Sequence, residues 1–507
     1  MEQNNLIKSA YRQNFDSVQN NVTTELRSDN NIAKILCSNA KATISSFEAL
    51  TGELRFNGEV CFMVTYINEN GEFFTLRDCE PFSGKLENPN INVNFAPNFN
   101  LDTIELKVNS TSDEVKMTAT IETNIEGVVS EEISYYVNND ENIVTNSSFI
   151  NYSQLEGYGN LGFNFEENFE TNEKISKILN TTSDVQIFDY SLGTDYFTVE
   201  GIITVNTQYE IDGDNKELKQ FTNCYKFKEE LERMNTTKDG YLILNSSINQ
   251  CKIEANLEQD GDKFRIKYTL PVDVQYIYLK PNSSEVVVDA YGLKNKLNLN
   301  IESFKIDGKN IKRCFDEKID GLYTIDDDAP RIMKVVSYCG ENISITNVLR
   351  EDDKVTIEGV ASINVIYLEE DDVERLNSVI IEVPFSIENN VGEQIFENDE
   401  LNASSIIKCV NVRAKKGKEI DVDMDICLIV NIFSNSEEML LSNVTIGEPL
   451  SSKEACLQIY FARKGNTLWD ISKGLLAKPE KILDQNPNIN LPLEQDEKIV
   501  LFKSLDK

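Results

Sequence analysis

Histidine is absent from all 507 residues, and tryptophan occurs once, at Trp469. The first absence removes Ser-His-Asp and Cys-His catalysis together with the usual histidine-bearing zinc sites. No apolar run approaches the ~18 residues of a membrane-crossing helix. Neither Gly-x-x-x-x-Gly-Lys-Ser/Thr nor Gly-x-Gly-x-x-Gly occurs to cradle a phosphate, and there is no nucleophile elbow. Basic residues are short, 49 against 85 acidic for a net charge of −36. A surface that acidic excludes nucleic acid and anionic lipid as partners. The ten cysteines stand singly between Cys37 and Cys456, without a Cys-x-x-Cys pair. The opening MEQNNLIKSAYRQNFDSV lacks a charged-then-apolar leader, so a cytosolic protein is expected. The cysteines are then expected to be free thiols, several of them, such as Cys61 and Cys427, on strand core positions.

What is present is ample apolar material, 40% hydrophobic and 9% aromatic, for a chain of roughly three to four domains. Three stretches align with one another, LRFNGEVCFMVTYINENGEFF from Leu54, FTVEGIITVNTQYEIDGDNKE from Phe197 and VTIEGVASINVIYLEEDDVER from Val355. Each has a Gly followed eight residues later by a Tyr: Gly58/Tyr66, Gly201/Tyr209 and Gly359/Tyr367. A Phe closes the next strand at Phe82, Phe227 and Phe385. Upstream, Lys34-Ile35-Leu36, Lys177-Ile178-Leu179 and Lys334-Val335-Val336 precede the glycines by 24, 24 and 25 residues.

The alternation around each Gly has period two, which predicts β-hairpins, and a Gly inside a strand marks a bulge or a close backbone approach. Hairpin tips are expected at Asn68–Gly71, Asp212–Asn215 and Glu369–Asp372, with further strands following each hairpin. The organisation predicted is a polar arm over 1–30 with weak helical spacing and β units over 31–155, 172–300 and 331–450. Stretches 152–171 and 296–330 would be joints, and a small module occupies 456–503. The units would be sandwiches or barrels forming an extended acidic body. Acidic runs such as Asp326-Asp327-Asp328 and Glu351-Asp352-Asp353 read as solvated turns. Asp260-Gly261-Asp262 and Asp212-Gly213-Asp214 lack the continuing ligand spacing and distal Glu of a calcium loop. No catalytic residue, metal ligand or cofactor is assigned.

The last module is electrostatically distinct: from Leu457 onward, eight Lys/Arg meet seven Asp/Glu, which leaves the acid on the body. Its pattern is β-α-α-β. Thr467 with Asp470 three residues on predicts a helix from Leu468, Pro479 opens a second, and Asn486-Pro487 ends it. Leu468, Ile471, Leu475, Ile482 and Leu483 are expected to face inward. Trp469 is either an aromatic that touches a partner or one that packs the first helix on the sheet.

The run Lys464-Gly465-Asn466-Thr467-Leu468-Trp469-Asp470-Ile471, with Ile482-Leu483, Asn486-Pro487 and Lys498-Ile499-Val500, resembles a LysM domain. That resemblance implies a shallow groove for N-acetylglucosamine glycans, lined by Gly465, Asn466, Thr467 and Leu468 on one side and by Asn488, Ile489 and Asn490 on the other, with Lys464 and Trp469 as further partner- or glycan-binding residues. Asn466 stands where the family usually has Asp, and Leu493–Glu497 replaces its Pro-Gly turn. Three β units ahead of such a tail resemble the SPOCS-domain proteins of spore coat morphogenesis. The resemblance implies a non-enzymatic scaffold in the mother cell, at the forespore surface, whose LysM-like domain docks the coat-anchoring sporulation ATPase (stage IV sporulation protein A). A peptidoglycan or cortex anchor is the alternative, and an acid-pair glycan hydrolase a third.

Overall fold

The alternation in the sequence is realised as strands along almost the whole chain. A computed structural model describes residues 5–212, 217–232, 239–260, 263–326, 329–370, 375–415, 417–450 and 457–502. Cys456 lies outside them, and so do parts of the expected tips at 212–215 and 369–372 and of the acidic motifs at 212–214, 260–262 and 326–328.

A first block contains β1 (Leu6–Asn14), β2 (Val18–Arg27), β3 (Ile32–Leu50), β4 (Glu53–Asn68), β5 (Phe73–Glu87), β6 (Ala96–Ser110) and β7 (Glu114–Ser134). A second contains β8 (Ile143–Thr171), β9 (Ile175–Leu192), β10 (Tyr196–Ile211), β11 (Glu217–Glu232), β12 (Tyr241–Ile248), β13 (Glu254–Asp260) and β14 (Lys263–Gly292). The third contains β15 (Asn295–Thr324), β16 (Ile332–Glu351), β17 (Lys354–Glu369), β18 (Leu376–Asn390), β19 (Glu400–Ala414) and β20 (Glu419–Pro449). The chain is mainly β, in several sheets.

Each block has a three-stranded sheet, β3-β4-β5, β9-β10-β11 or β16-β17-β18. It faces a second set of strands whose centre is β7, β14 or β20. Between the layers lies a separate apolar core, built around Phe56 and Met117, Val205 and Tyr268, or Ile363 and Met424. The central Gly of each hairpin sits opposite its Phe, Gly58 to Phe82, Gly201 to Phe227 and Gly359 to Phe385. A Cβ there would overlap both that ring and a carbonyl of the neighbouring strand. That is why only glycine fits.

Two expectations are corrected together. Residues 6–27 are not an arm or a helix but two strands on β7, and the stretches read as joints belong to the long strands β8 and β15. All three are one kind of element, the strand that opens a block and pairs with the strand that ends it. Many polar residues of β8 and β15 alternate onto an exposed face, Ser9 and Arg12 of β1 are buried between layers, and in each case the partner strand is distant in sequence. Local composition therefore misleads.

The body is also not extended. The blocks close in a ring, and the Lys-Ile-Leu markers close it. In each, the third residue (Leu36, Leu179 or Val336) is skipped by the ladder as a β-bulge. The residue before it, Ile35, Ile178 or Val335, packs on its own core. The bulged residue turns instead to a shared cluster in which Leu36, Leu179 and Val336 meet Phe73, Leu218, Ile366 and Leu376. Each Lys reaches the next block: Lys177 Nζ donates to Phe73 O at 2.7 Å, Lys334 Nζ to Glu217 at 3.0 Å, and Lys34 Nζ to Asn377. The extra residue in the third spacing sits in a further bulge at 340–341, where Gly340 has φ +61°.

A second inter-block cluster joins Ile7, Ile133, Ile150, Val286, Phe304 and Leu440 from the outer ends of the long strands. Nearby, the buried Arg12 guanidinium lies 3.5 Å from Asp307 and 3.9 Å from Glu126, over the Phe433 ring. Tyr241 OH donates to Asp307.

Sulfur corrects a further expectation. Cys37–Cys339 and Cys79–Cys251 are disulfides, with Cα atoms 6.3 and 6.7 Å apart. They cross the seams between blocks 1 and 3 and between blocks 1 and 2. Cys61, which is buried, completes a group of three sulfurs within 4.8 Å of one another with Cys79 and Cys251. The seam between blocks 2 and 3 carries free thiols.

Two predictions follow from the packing. Gly201→Ala is expected to destabilise the protein by about 1–3 kcal/mol in urea titration, since neither the Gln186 carbonyl nor Phe227 can withdraw freely. Burial at a seam raises the Glu341 pKa, although Asn206 Nδ2 donates to it at 3.0 Å. Its contribution is therefore fully present below the ordinary glutamate value of about 4.3 and is lost as pH rises through the raised folded value. Glu341→Gln should gain stability relative to wild type with rising pH, by at most about 1.4 kcal/mol per pH unit. Denaturant midpoints of both proteins across pH 4–8 read this directly.

Candidate functional site

The C-terminal module follows the expected order: β21 (Leu457–Ala462), α1 (Leu468–Leu475), α2 (Pro479–Gln485) and β22 (Glu497–Phe502). Thr467 caps α1 reciprocally: its side chain accepts from Asp470 N, and Asp470 accepts from Thr467 N at 2.8 Å. Pro479 occupies the first turn of α2. Asn486 ends that helix and ties it to β22, accepting from Val500 N and donating to Val500 O. Ile471, Leu475, Ile482, Ile499 and Leu501 form the core, with Leu468 packed against it. Leu483, expected inside, is 40% exposed. Helix α2 is only seven residues long, and its single buried position is Ile482.

The site residues fall into three groups. Lys464 and Gly465 are exposed on the loop after β21, with Gly465 at φ +90°, a left-handed conformation suited to glycine. Asn466 and Thr467 complete that loop. It is tied to residues 493 and 496, through Gly465 N to Leu493 O at 2.8 Å and Lys464 N to Asp496 at 2.8 Å, rather than to the other predicted wall. Asn488 and Asn490 are exposed, while Ile489 and Leu468 pack on the module's core. Trp469 lies elsewhere.

The Trp469 ring faces the body. Its centroid is 5.1 Å from that of Tyr291, near the end of β14, and its Nε1 donates to Asp289 at 2.9 Å. Lys473, one turn on, donates to the same carboxylate at 2.5 Å, and Tyr291 OH donates to Ala477 O at 2.6 Å. Burial pushes the Asp289 pKa up, but the hydrogen bonds from Lys473 and Trp469 more than offset it and hold the pKa below the usual aspartate value. Beside contact with a partner and packing of α1 on the module's sheet, the structure adds a third role for Trp469, an aromatic that seats the module on the body.

Sequence reasoning also missed the module's most open apolar surface. On the outer face of its sheet, Leu457 lies opposite Phe502, Ile459 opposite Val500 and Phe461 opposite Lys498. Phe461 is 69% exposed and Ile459 52%. The signal was present, since alternation places Leu457, Ile459 and Phe461 on one face. Lys498 Nζ lies 5.6 Å from the Phe461 ring centroid. By contrast, two cavities at the seams enclose only about 10 and 50 Å³, far below the ~300 Å³ of a ligand pocket.

Comparison with known proteins places one part of the chain. Residues 331–415 match the family model described as SipL, SPOCS domain. The match covers β16–β19 and includes Lys334, Gly359, Tyr367 and Phe385 of the recurring pattern. It supports a SipL-like protein and, with it, a role connected with the sporulation coat. No curated protein matches the chain.

The single tryptophan makes the docking testable. Asp289→Ala should weaken the seating of the module by roughly 1–3 kcal/mol, the cost of removing a charged hydrogen-bond acceptor. The fluorescence of Trp469 should shift to the red as water reaches the ring, with the body's melting transition unchanged.

Proposed function

We propose that the chain is a non-enzymatic scaffold of endospore coat assembly. Its three blocks are SPOCS-like units, and its C-terminal module is LysM-like. In the mother cell, at the forespore surface, that module docks the coat-anchoring morphogenetic ATPase. The observation that carries this reading is the outer face of the β21–β22 sheet. It is apolar, exposed and flanked by a cation, on a near-neutral module attached to an acidic body. Such a patch matches a protein surface better than a sugar chain. The SPOCS match over 331–415 supplies the sporulation context.

A second reading keeps the glycan. Lys464, Gly465, Asn488 and Asn490 are exposed on the two loops that line the groove in LysM domains. The module would then anchor the body to cortex peptidoglycan.

Binding of the full chain to the purified ATPase and to peptidoglycan fragments separates the two. Phe461→Glu should reduce ATPase affinity roughly 30-fold, as for a central interface anchor. Asn488→Ala should leave it unchanged, and neither exposed substitution should alter the thermal transition. Glycan binding that is lost in Asn488→Ala, with no affinity for the ATPase, would establish the anchor instead.

A further inference from the structure

The seam between blocks 2 and 3 differs from the other two in its sulfur chemistry. Cys314 on β15 is exposed, and Cys427 on β20 is buried behind it. Asp316 pairs with Cys427 in the β15–β20 ladder, which places Cys314 diagonally across from Cys427 on the same face of the sheet. Gln186 of block 2 donates to Cys427 Sγ at 3.8 Å, so the pair touches the seam itself. On the adjoining strand, Lys408 is the extra residue of a bulge between Ile407 and Cys409, and its ammonium reaches Asp316 at 2.5 Å. Cys224 of block 2 donates to the carbonyl of the same Lys408 at 3.2 Å.

Packing explains Cys427, a small apolar group buried at the seam. It does not explain Cys314, which is open to solvent. We propose that Cys314 is a modification site: an accessible cysteine that small hydroperoxides oxidise, with Cys427 as the thiol that resolves the product. This rests on the seam alone and is independent of the coat-assembly reading.

The electrostatics agree with the geometry. The hydrogen bond from Cys427 and the nearby Lys312 and Lys408 outweigh burial and Asp316, and they lower the Cys314 pKa to about 6. The neighbouring Cys314 and, after it, burial raise that of Cys427. Cys409, also exposed, is shifted up by burial and by Asp425, which makes it an internal comparison.

In the reaction, the Cys314 thiolate attacks one peroxide oxygen. The O–O bond breaks, and the departing alkoxide or hydroxide takes a proton from water. The sulfur, oxidised by two electrons, is left as a sulfenic acid. The Cys427 sulfur then attacks Cys314 Sγ. The S–O bond breaks, the S–S bond forms, and the Cys427 proton leaves with the hydroxyl as water. Gln186 of block 2 rests on the Cys427 sulfur, so the change from thiol to disulfide falls on a contact across the seam. The redox state would thus be felt by block 2.

The test uses the full chain and reads each cysteine by peptide mass spectrometry. At pH 6.5, iodoacetamide should modify Cys314 roughly tenfold faster than Cys409, a large thiolate advantage partly offset by the lower nucleophilicity of a low-pKa thiol. Hydrogen peroxide should give a Cys314–Cys427 linked peptide in the wild type. In Cys427→Ser it should give a dimedone adduct on Cys314. Lys408→Met should slow the alkylation of Cys314 with the circular dichroism spectrum unchanged. Equal alkylation rates at Cys314 and Cys409, or peroxide products confined to Cys224 and Cys409, would overturn the assignment. The alkylation comparison needs no variant, so it stands even if a substitution disturbs folding.

Discussion

Leu36, Leu179 and Val336 are turned away from the cores of their own blocks by β-bulges, and the apolar cluster they form can be buried only if all three blocks are present. Each block supplies one bulged residue and the opening residues of one strand, so exposure of any member leaves the other two facing water. The three lysines beside them add direction: each reaches only one neighbour, and the three contacts run in a single cycle. Burial gives the ring its free energy, because apolar area removed from water outweighs a few lysine contacts near the surface, only one of them an ion pair. The lysines specify which block sits where.

How much of this was legible varied with the range of the interaction. The Lys-Ile-Leu and Gly-x7-Tyr markers were visible, because a bulge and a ring-over-glycine contact constrain single positions. Their spatial meaning was not, because a cluster between blocks looks in sequence like any strand core. The opening strand of each block was misread for a related reason. Leu6, Ala10, Phe15 and Val18 fit a helical spacing by accident, while in the structure Ile7, Ser9, Ala10, Tyr11 and Arg12 are all buried and alternation fails. A strand covered on both faces loses its period-two signature. The disulfides join residues 302 and 172 positions apart, a pairing that no spacing rule encodes.

The C-terminal module was read well in its elements and poorly in its orientation. Capping and helix-start residues are local, so Thr467, Asp470 and Pro479 announced the helices. Which face of the module meets the body depends on Tyr291 and Asp289, well outside it. The result reverses the obvious choice of surface: the conspicuous tryptophan is turned inward, and the plain sheet beside it is left for others.

Ring closure also sets a clock for synthesis. Asn14 bonds to Glu400 and Asn402, and the Arg12 carbonyl accepts from Asn435, so the first strand finds its last partners some 390 to 420 residues later. At roughly 5–20 residues per second, the first strand waits about 20–80 s on the ribosome for these partners, with one flank of its block unsatisfied. During that interval its unpaired flank is the part of the nascent chain most exposed to wrong partners, including the same flank of another copy. The acidic surface, at −36 over the whole chain, would act even then as repulsion between chains that are still incomplete.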